Sequence, residues 1–231
     1  MKPQTILAFD TSGPFCAAAL LADGNLTSRV DDMARGQAEH LIPMLEEVLQ
    51  SKGLQWQDLD AIAVGIGPGN FTGIRISVSA ARGLALALNM PAIGVSGLDA
   101  ARFGLSNVVA CLPAPRGQAY VQAFLEAADD TPTLVDPTLN QSAIPGFPIL
   151  PAKAEPRFCG AAAEAVAQAY LGGAFSAEVD IAPQPVPAIE AVARIAAQRL
   201  KAMSDHPAPA PLYIKPADAA PSREEPPVIL S

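Results

Sequence analysis

Two stretches of this chain carry residue types suited to phosphate chemistry. In the first, Asp10, Thr11 and Ser12 follow the apolar run Ile6-Leu7-Ala8-Phe9 and precede Gly13 and Pro14. A carboxylate beside small hydroxyls at a strand end can hold a phosphate and, through water, its magnesium. The same residue types also compose an ordinary turn. In the second, Gly65, Gly67 and Gly69, stiffened by Pro68, separate an apolar run from a helix-forming stretch. A helix start presents free N–H groups and the positive end of a dipole, so this loop suits a phosphate or carboxylate. It equally suits a tight strand-to-helix connection that binds nothing. Asp10, Thr11, Ser12, Gly67 and Gly69 are thus the candidate nucleotide-side residues. No catalytic or metal set accompanies them in the sequence: His40 and His206 form no metal-ligand pair. Cys16, Cys111 and Cys159 are widely spaced in apolar segments, which suits buried free thiols.

The elements that must position these residues follow from periodicity. Strands are expected at Thr5–Asp10, Cys16–Leu21 and Leu26–Asp31, with Asp23-Gly24 as the hairpin turn of an antiparallel meander. A helix from Gln37 to Ser51 places Ala38, Leu41, Ile42, Leu45, Val48 and Leu49 inward and His40, Met44 and Glu47 on its other face. Ala61 to Ile66 reads as a strand buried on both sides. Beyond the glycine loop, Asn70 or Thr72 caps a helix reaching Leu88, with Ile74, Val78, Ala81, Ala85 and Leu88 toward the sheet. Its far side then carries Ile76, Ala80, Gly83 and Ala87 beside Ser79, a surface of small and apolar residues that calls for cover. Arg75 and Arg82 share one flank, where they are either solvated or meet acidic groups of a partner. The candidate interface is therefore His40, Met44, Glu47, Arg75, Ile76, Ser79, Ala80, Arg82, Gly83 and Ala87.

A strand at Ala92–Val95 and a helix capped by Ser96 complete a first α/β lobe, residues 1–104. A hairpin, Asn107–Leu112 and Gln118–Leu125, opens a reduced second lobe at 105–215 that holds helices at Ala161–Leu171 and Ala188–Met203. Proline and alanine dominate from His206 onward, and residues 216–231 are expected to be a disordered tail. The formal charge of −8 argues against a self-sufficient nucleic-acid binder. No run of eighteen consecutive apolar residues appears, and an early aspartate in MKPQTILAFD argues against a signal peptide, so a cytoplasmic protein with no membrane partner is expected.

The stretches FDTS, AEHLIPMLEEVL, DAIAVGIGPGNFTGIRISVSAARGLALAL and PAIGVSGLDA together resemble the TsaB (YeaZ) family. The resemblance runs from Phe9 to Ala100 and reaches far beyond a glycine loop. It implies the actin/Hsp70/sugar-kinase-like (ribonuclease H-like, ASKHA) fold. It also implies a non-catalytic subunit of the machinery that makes threonylcarbamoyladenosine beside the tRNA anticodon. The implied partners are a TsaD-like catalytic paralogue and a TsaE-like ATPase, with a homodimer when alone and tRNA held only through the complex. No cofactor of its own is implied; ATP or ADP would bind weakly or at the partner interface.

Departures from the family pattern bear on mechanism. Asn70 stands where family members commonly show serine, and Pro113 where they tend to carry an aspartate on the second hairpin. In active enzymes of the wider fold a carboxylate there faces the phosphates, so the role is unfilled. Ala210-Pro211-Leu212-Tyr213-Ile214-Lys215 resembles the family's Pro-x-Tyr-Leu-Arg end, as expected of a complete member. The alternative from another class is a small self-sufficient kinase or ATPase of the same fold, with Asp10 as metal-directing carboxylate.

Overall fold

A computed structural model describes residues 3–125, 131–138, 147, 157–170 and 180–214. The chain opens with β1 (Ile6–Asp10), β2 (Phe15–Ala22) and β3 (Asn25–Asp32), the expected meander. Asp23 and Gly24 take φ values of 50° and 77° at its hairpin, the left-handed pair that a two-residue turn requires. Helix α1 (Gln37–Gln50) leads to β4 (Ala61–Gly65), and α2 (Phe71–Leu88) to β5 (Ala92–Val95). The sheet order is β3-β2-β1-β4-β5, with β1, β4 and β5 parallel and β2 and β3 antiparallel. A short α3 (Gly97–Ala101), started by the Ser96 hydroxyl on the Leu98 N–H, joins this sheet to the next.

The second sheet runs β8-β7-β6-β9, from β6 (Val108–Pro113), β7 (Ala119–Phe124), β8 (Thr133–Val135) and β9 (Arg157–Cys159). Helix α4 (Ala163–Tyr170) covers one face around Val109, Val121 and Val166. The other face meets α3 through Leu98, Ala101, Val108 and Ala110. Cys16, Cys111 and Cys159 are free and buried.

Both faces of the first sheet are covered, which is why β1 and β4 read as unbroken apolar runs. Helices α1 and α2 lie over Leu7, Phe9, Ile62 and Val64. The opposite face, with Ile6, Ala8, Ala61 and Ala63, is covered by α5 (Ala188–Ala202) through Ile189, Val192 and Ala196. The continuous 105–215 lobe therefore needs correction: α5 lies within that span in sequence but packs on the first sheet. Its alanines let it approach the small residues of β1 and β4 closely. The tail at 216–231 lies outside the described residues.

Helix α1 corrects the expected face assignment. Its buried residues are Gln37, Leu41, Met44, Leu45, Val48 and Leu49, while Ile42 is exposed. Met44 is 1% exposed, so it belongs to the core and not to an interface. The wheel centres between Leu41 and Val48, roughly 50° from Met44 and roughly 110° from Ile42, which turns Met44 inward and Ile42 outward.

Helix α2 is also turned from expectation. Gly73, Ile74, Ser77, Val78 and Ala81 are buried, whereas Ala85 and Leu88 are half-buried. The outermost line is Phe71, Arg75, Ser79, Arg82 and Leu86, with Leu86 86% exposed. Ile76 and Ala80 are half-buried against the core, so they flank this line and do not centre it. Length and composition alone would let α2 cross a membrane, with a mean hydropathy of 1.2. Arg75 and Arg82 interrupt its apolar run, and its inner face is bedded on the sheet.

Candidate functional site

Asp10 ends β1, where its Oδ1 accepts the Ser12 N–H at 2.7 Å. The carboxyl lies against Gly65 of β4: a Cβ on that glycine would come within 2.3 Å of Asp10 Cγ. Burial pushes the carboxyl above its ordinary value of 3.8, opposed by the Ser12 N–H and hydroxyl and by the Thr11 N–H. Between 3.8 and this raised value the folded chain binds more protons than the unfolded chain. The group's contribution to stability is therefore full below 3.8 and is lost as pH rises through the folded value. Asp10→Asn keeps an acceptor for Ser12 and removes the buried charge. Thermal melts should show a gain in Tm that grows as pH rises above 3.8; a loss of Tm at neutral pH would mean that the ionised carboxylate is itself stabilising.

The other predicted phosphate-side residues meet one another instead of enclosing a space. Thr11 is wholly buried, and its hydroxyl donates to the Gly73 carbonyl at 2.6 Å. The Asn70 N–H donates to the Ser12 carbonyl at 2.6 Å, and the Asn70 side chain accepts the Gly73 N–H at 2.8 Å. Gly67, at φ +94°, gives its carbonyl to the Gly97 N–H at 2.8 Å. A Cβ on Gly69 would sit 2.3 Å from the Ser12 carbonyl oxygen, and one on Gly73 1.9 Å from that of Thr11. The glycines thus serve the tight connection: they let the start of α2 press on the turn after β1.

From the other side Gln37 closes the same turn. Its side-chain amide lies 3.3, 2.8 and 2.6 Å from the carbonyl oxygens of Thr11, Gly13 and Phe15. The sequence reading missed this residue, although a glutamine at the first position of an amphipathic helix, on its apolar side, is the visible signal. Chemically the arrangement offers one carboxyl and backbone groups already in use. Among the described residues, no three of His, Cys, Asp and Glu come together to suit a metal ion.

The interface candidates divide. His40 Nε2 meets Asp31 Oδ2 at 2.7 Å. Asp31 also takes Arg29 through both oxygens, at 2.7 and 3.0 Å, and Arg29 reaches Glu47. Hydrogen bonds from Arg29 and then His40 hold the Asp31 carboxyl below its ordinary range. These residues bind the edge strand β3 to α1. On α2, Arg75, Ser79, Arg82, Gly83 and Ala87 are exposed, and the line formed by Arg75, Ser79 and Arg82 continues through Leu86 and Phe71, which the sequence reading did not select. Leu86 lies seven residues beyond Ser79 and four beyond Arg82, the helical spacing that could have found it.

The family model described as "TsaD: tRNA N6-adenosine threonylcarbamoyltransferase" matches residues 31–220. The chain belongs to this family, on its TsaB (YeaZ) branch. It is 36% identical to the tRNA threonylcarbamoyladenosine biosynthesis protein TsaB of Escherichia coli over 121 residues, 50% of this chain and 52% of that protein. The TsaB of Haemophilus influenzae is 39% identical over 126 residues, 52% of this chain and 53% of that protein. The chain therefore spans about half the length of the curated relatives it matches. A Pseudomonas aeruginosa crystal structure, described as an uncharacterized protein with similarity to peptidase YeaZ, superposes with a TM-score of 0.70. That likeness, at 26% identity, covers 92% of this chain and 100% of the other. The two-sheet architecture is thus the actin/Hsp70/sugar-kinase-like fold expected of a TsaB-type chain.

Proposed function

We propose that the chain is a non-catalytic subunit in the formation of threonylcarbamoyladenosine on tRNA, seated through α2 on a TsaD-like catalytic paralogue. The observation that carries this reading is the exposed line Phe71, Arg75, Ser79, Arg82, Leu86 on a helix whose other side is bedded in the core. An exposed leucine in line with two arginines suits a partner that brings an apolar seat and acidic groups. The locked turn around Thr11 and Gly73 supports weak or absent nucleotide binding by the chain alone. Its acidic balance supports tRNA held only through the complex. A TsaE-like ATPase completes the set, self-pairing through α2 serves the isolated chain, and the setting is cytoplasmic.

Reconstitution tests this reading. The chain mixed with magnesium and ATP should neither turn over ATP nor retain tRNA on a filter at physiological salt. Adding the paralogue and the ATPase should give tRNA retention and, once an activated threonylcarbamoyl donor is supplied, threonylcarbamoyl transfer. Robust turnover by the chain alone would establish the kinase or ATPase reading instead.

A further inference from the structure

After α5 the chain returns across the carboxyl ends of the parallel strands. Pro209 is buried where a Cβ on Gly94 of β5 would lie 3.2 Å from its own Cβ. The Leu212 N–H donates to the Ile66 carbonyl just beyond β4 at 2.8 Å, and a Cβ on Gly67 would lie 3.3 Å from the Leu212 oxygen. Ile214 packs against the cluster of Leu98 and Ala110. Open α/β sheets receive their ligands outside these strand ends. Residues 209–214 thus cover the strand ends at Ile66, Gly67 and Gly94.

The fastening of this segment lies on the exposed face of α2. The Tyr213 ring stacks on Phe71 with centroids 5.1 Å apart, and Arg75 Nε donates to the Tyr213 hydroxyl at 2.9 Å. The same guanidinium sits 3.8 Å over the Phe71 ring. Phe71 and Tyr213 are 37% and 41% exposed, so the latch stands at the surface. Residues 203–205 and 207–208, which lead from α5 into this segment, are exposed.

We propose that residues 209–214 are a strap latched by Tyr213, and that docking on α2 and release of the strap from the strand ends are one coupled equilibrium. A partner carboxylate that takes Arg75 withdraws it from the Tyr213 hydroxyl and loosens the stack on Phe71. The latch is then undone from the docking side, and the strap lifts from Ile66 and Gly67. The trigger rests on α2 being a docking face; the latch itself does not.

Amide exchange followed by NMR on the full chain tests the latch without any partner. In Tyr213→Ala the Leu212 amide should exchange about tenfold faster or more, and in Tyr213→Phe, which keeps the stack, about threefold faster. Arg75→Ala, altered on α2 alone, should also release Leu212 while the amides of Leu7 to Phe9 in β1 keep their rates. Equal protection of Leu212 in wild type and Arg75→Ala would overturn the coupling. Equal acceleration at Leu212 and throughout β1 would make the segment part of the global fold and not a strap. Release of Leu212 in Arg75→Ala together with normal docking of Leu86→Arg would keep the latch and overturn docking on α2 as its trigger.

Discussion

Leu86→Arg should fold normally and fail to dock. Its side chain is 86% exposed, so the substitution removes nothing from the core, and circular dichroism and Tm should match wild type. In the docked state the new cation would be buried beside Arg82 without a counter-charge. Loss of a central contact of this kind weakens binding by about 30-fold or more. Pull-down of the paralogue and threonylcarbamoyl transfer in the reconstituted system should fall together. Ala80→Arg is a poorer probe, because Ala80 is half-buried against the core and its replacement mixes folding with docking. Self-pairing through the same line, about a twofold near Ser79, would set Arg75 of one copy near Arg82 of the other. Salt should therefore strengthen self-pairing and weaken pairing with an acidic partner. Normal capture of the paralogue by a folded Leu86→Arg would place the docking surface away from α2.

Local chemistry was legible wherever neighbouring residues decide the structure. Asp23-Gly24 marks a hairpin because few other pairs accept two positive φ values. Asn70 and Ser96 mark helix starts because their side chains accept the free N–H groups there. The apolar run of β4 declared a strand covered on both faces. What covers the second face was not legible, since α5 meets β1 across most of the chain and its alanine-rich pattern names no target. The same limit hid the contact of Arg75 with Tyr213, 138 residues away. On α2 the error had a different cause. Gly73 and Ser77 are buried but not hydrophobic, so a search for an apolar stripe skipped them and centred the inner face roughly 30° away on the wheel. Once Gly73 and Ser77 are placed inward, Ser79, Arg82 and Leu86 fall outward together. The candidate site stayed open between two readings for a related reason: a glycine loop looks alike in sequence whether its backbone approaches a phosphate or another backbone.

That distinction gives the largest expected effect on stability. In an exposed helix interior, Gly→Ala stabilises by roughly 1 kcal/mol, because alanine has less backbone freedom to lose on folding. At Gly83 the new methyl would meet nothing within 4 Å, so Gly83→Ala should raise Tm by a few degrees, at about 2–4 °C per kcal/mol for a chain of this size. At Gly73 the same change should do the reverse. The methyl would fall 1.9 Å from the Thr11 carbonyl oxygen, a backbone atom pinned from the other side by the Gln37 amide. Relief requires moving the start of α2 off the turn, which breaks the Thr11–Gly73 and Ser12–Asn70 hydrogen bonds. Such overpacking costs about 3 kcal/mol or more, enough to overwhelm the gain in helix propensity. Gly73→Ala should therefore lower Tm by about 6–12 °C. If the β1 turn and the start of α2 were instead held apart to admit a phosphate, the methyl would have room and both substitutions would stabilise. Opposite signs in paired thermal melts are the mark of a closed turn, and equal signs would restore the anion-binding loop.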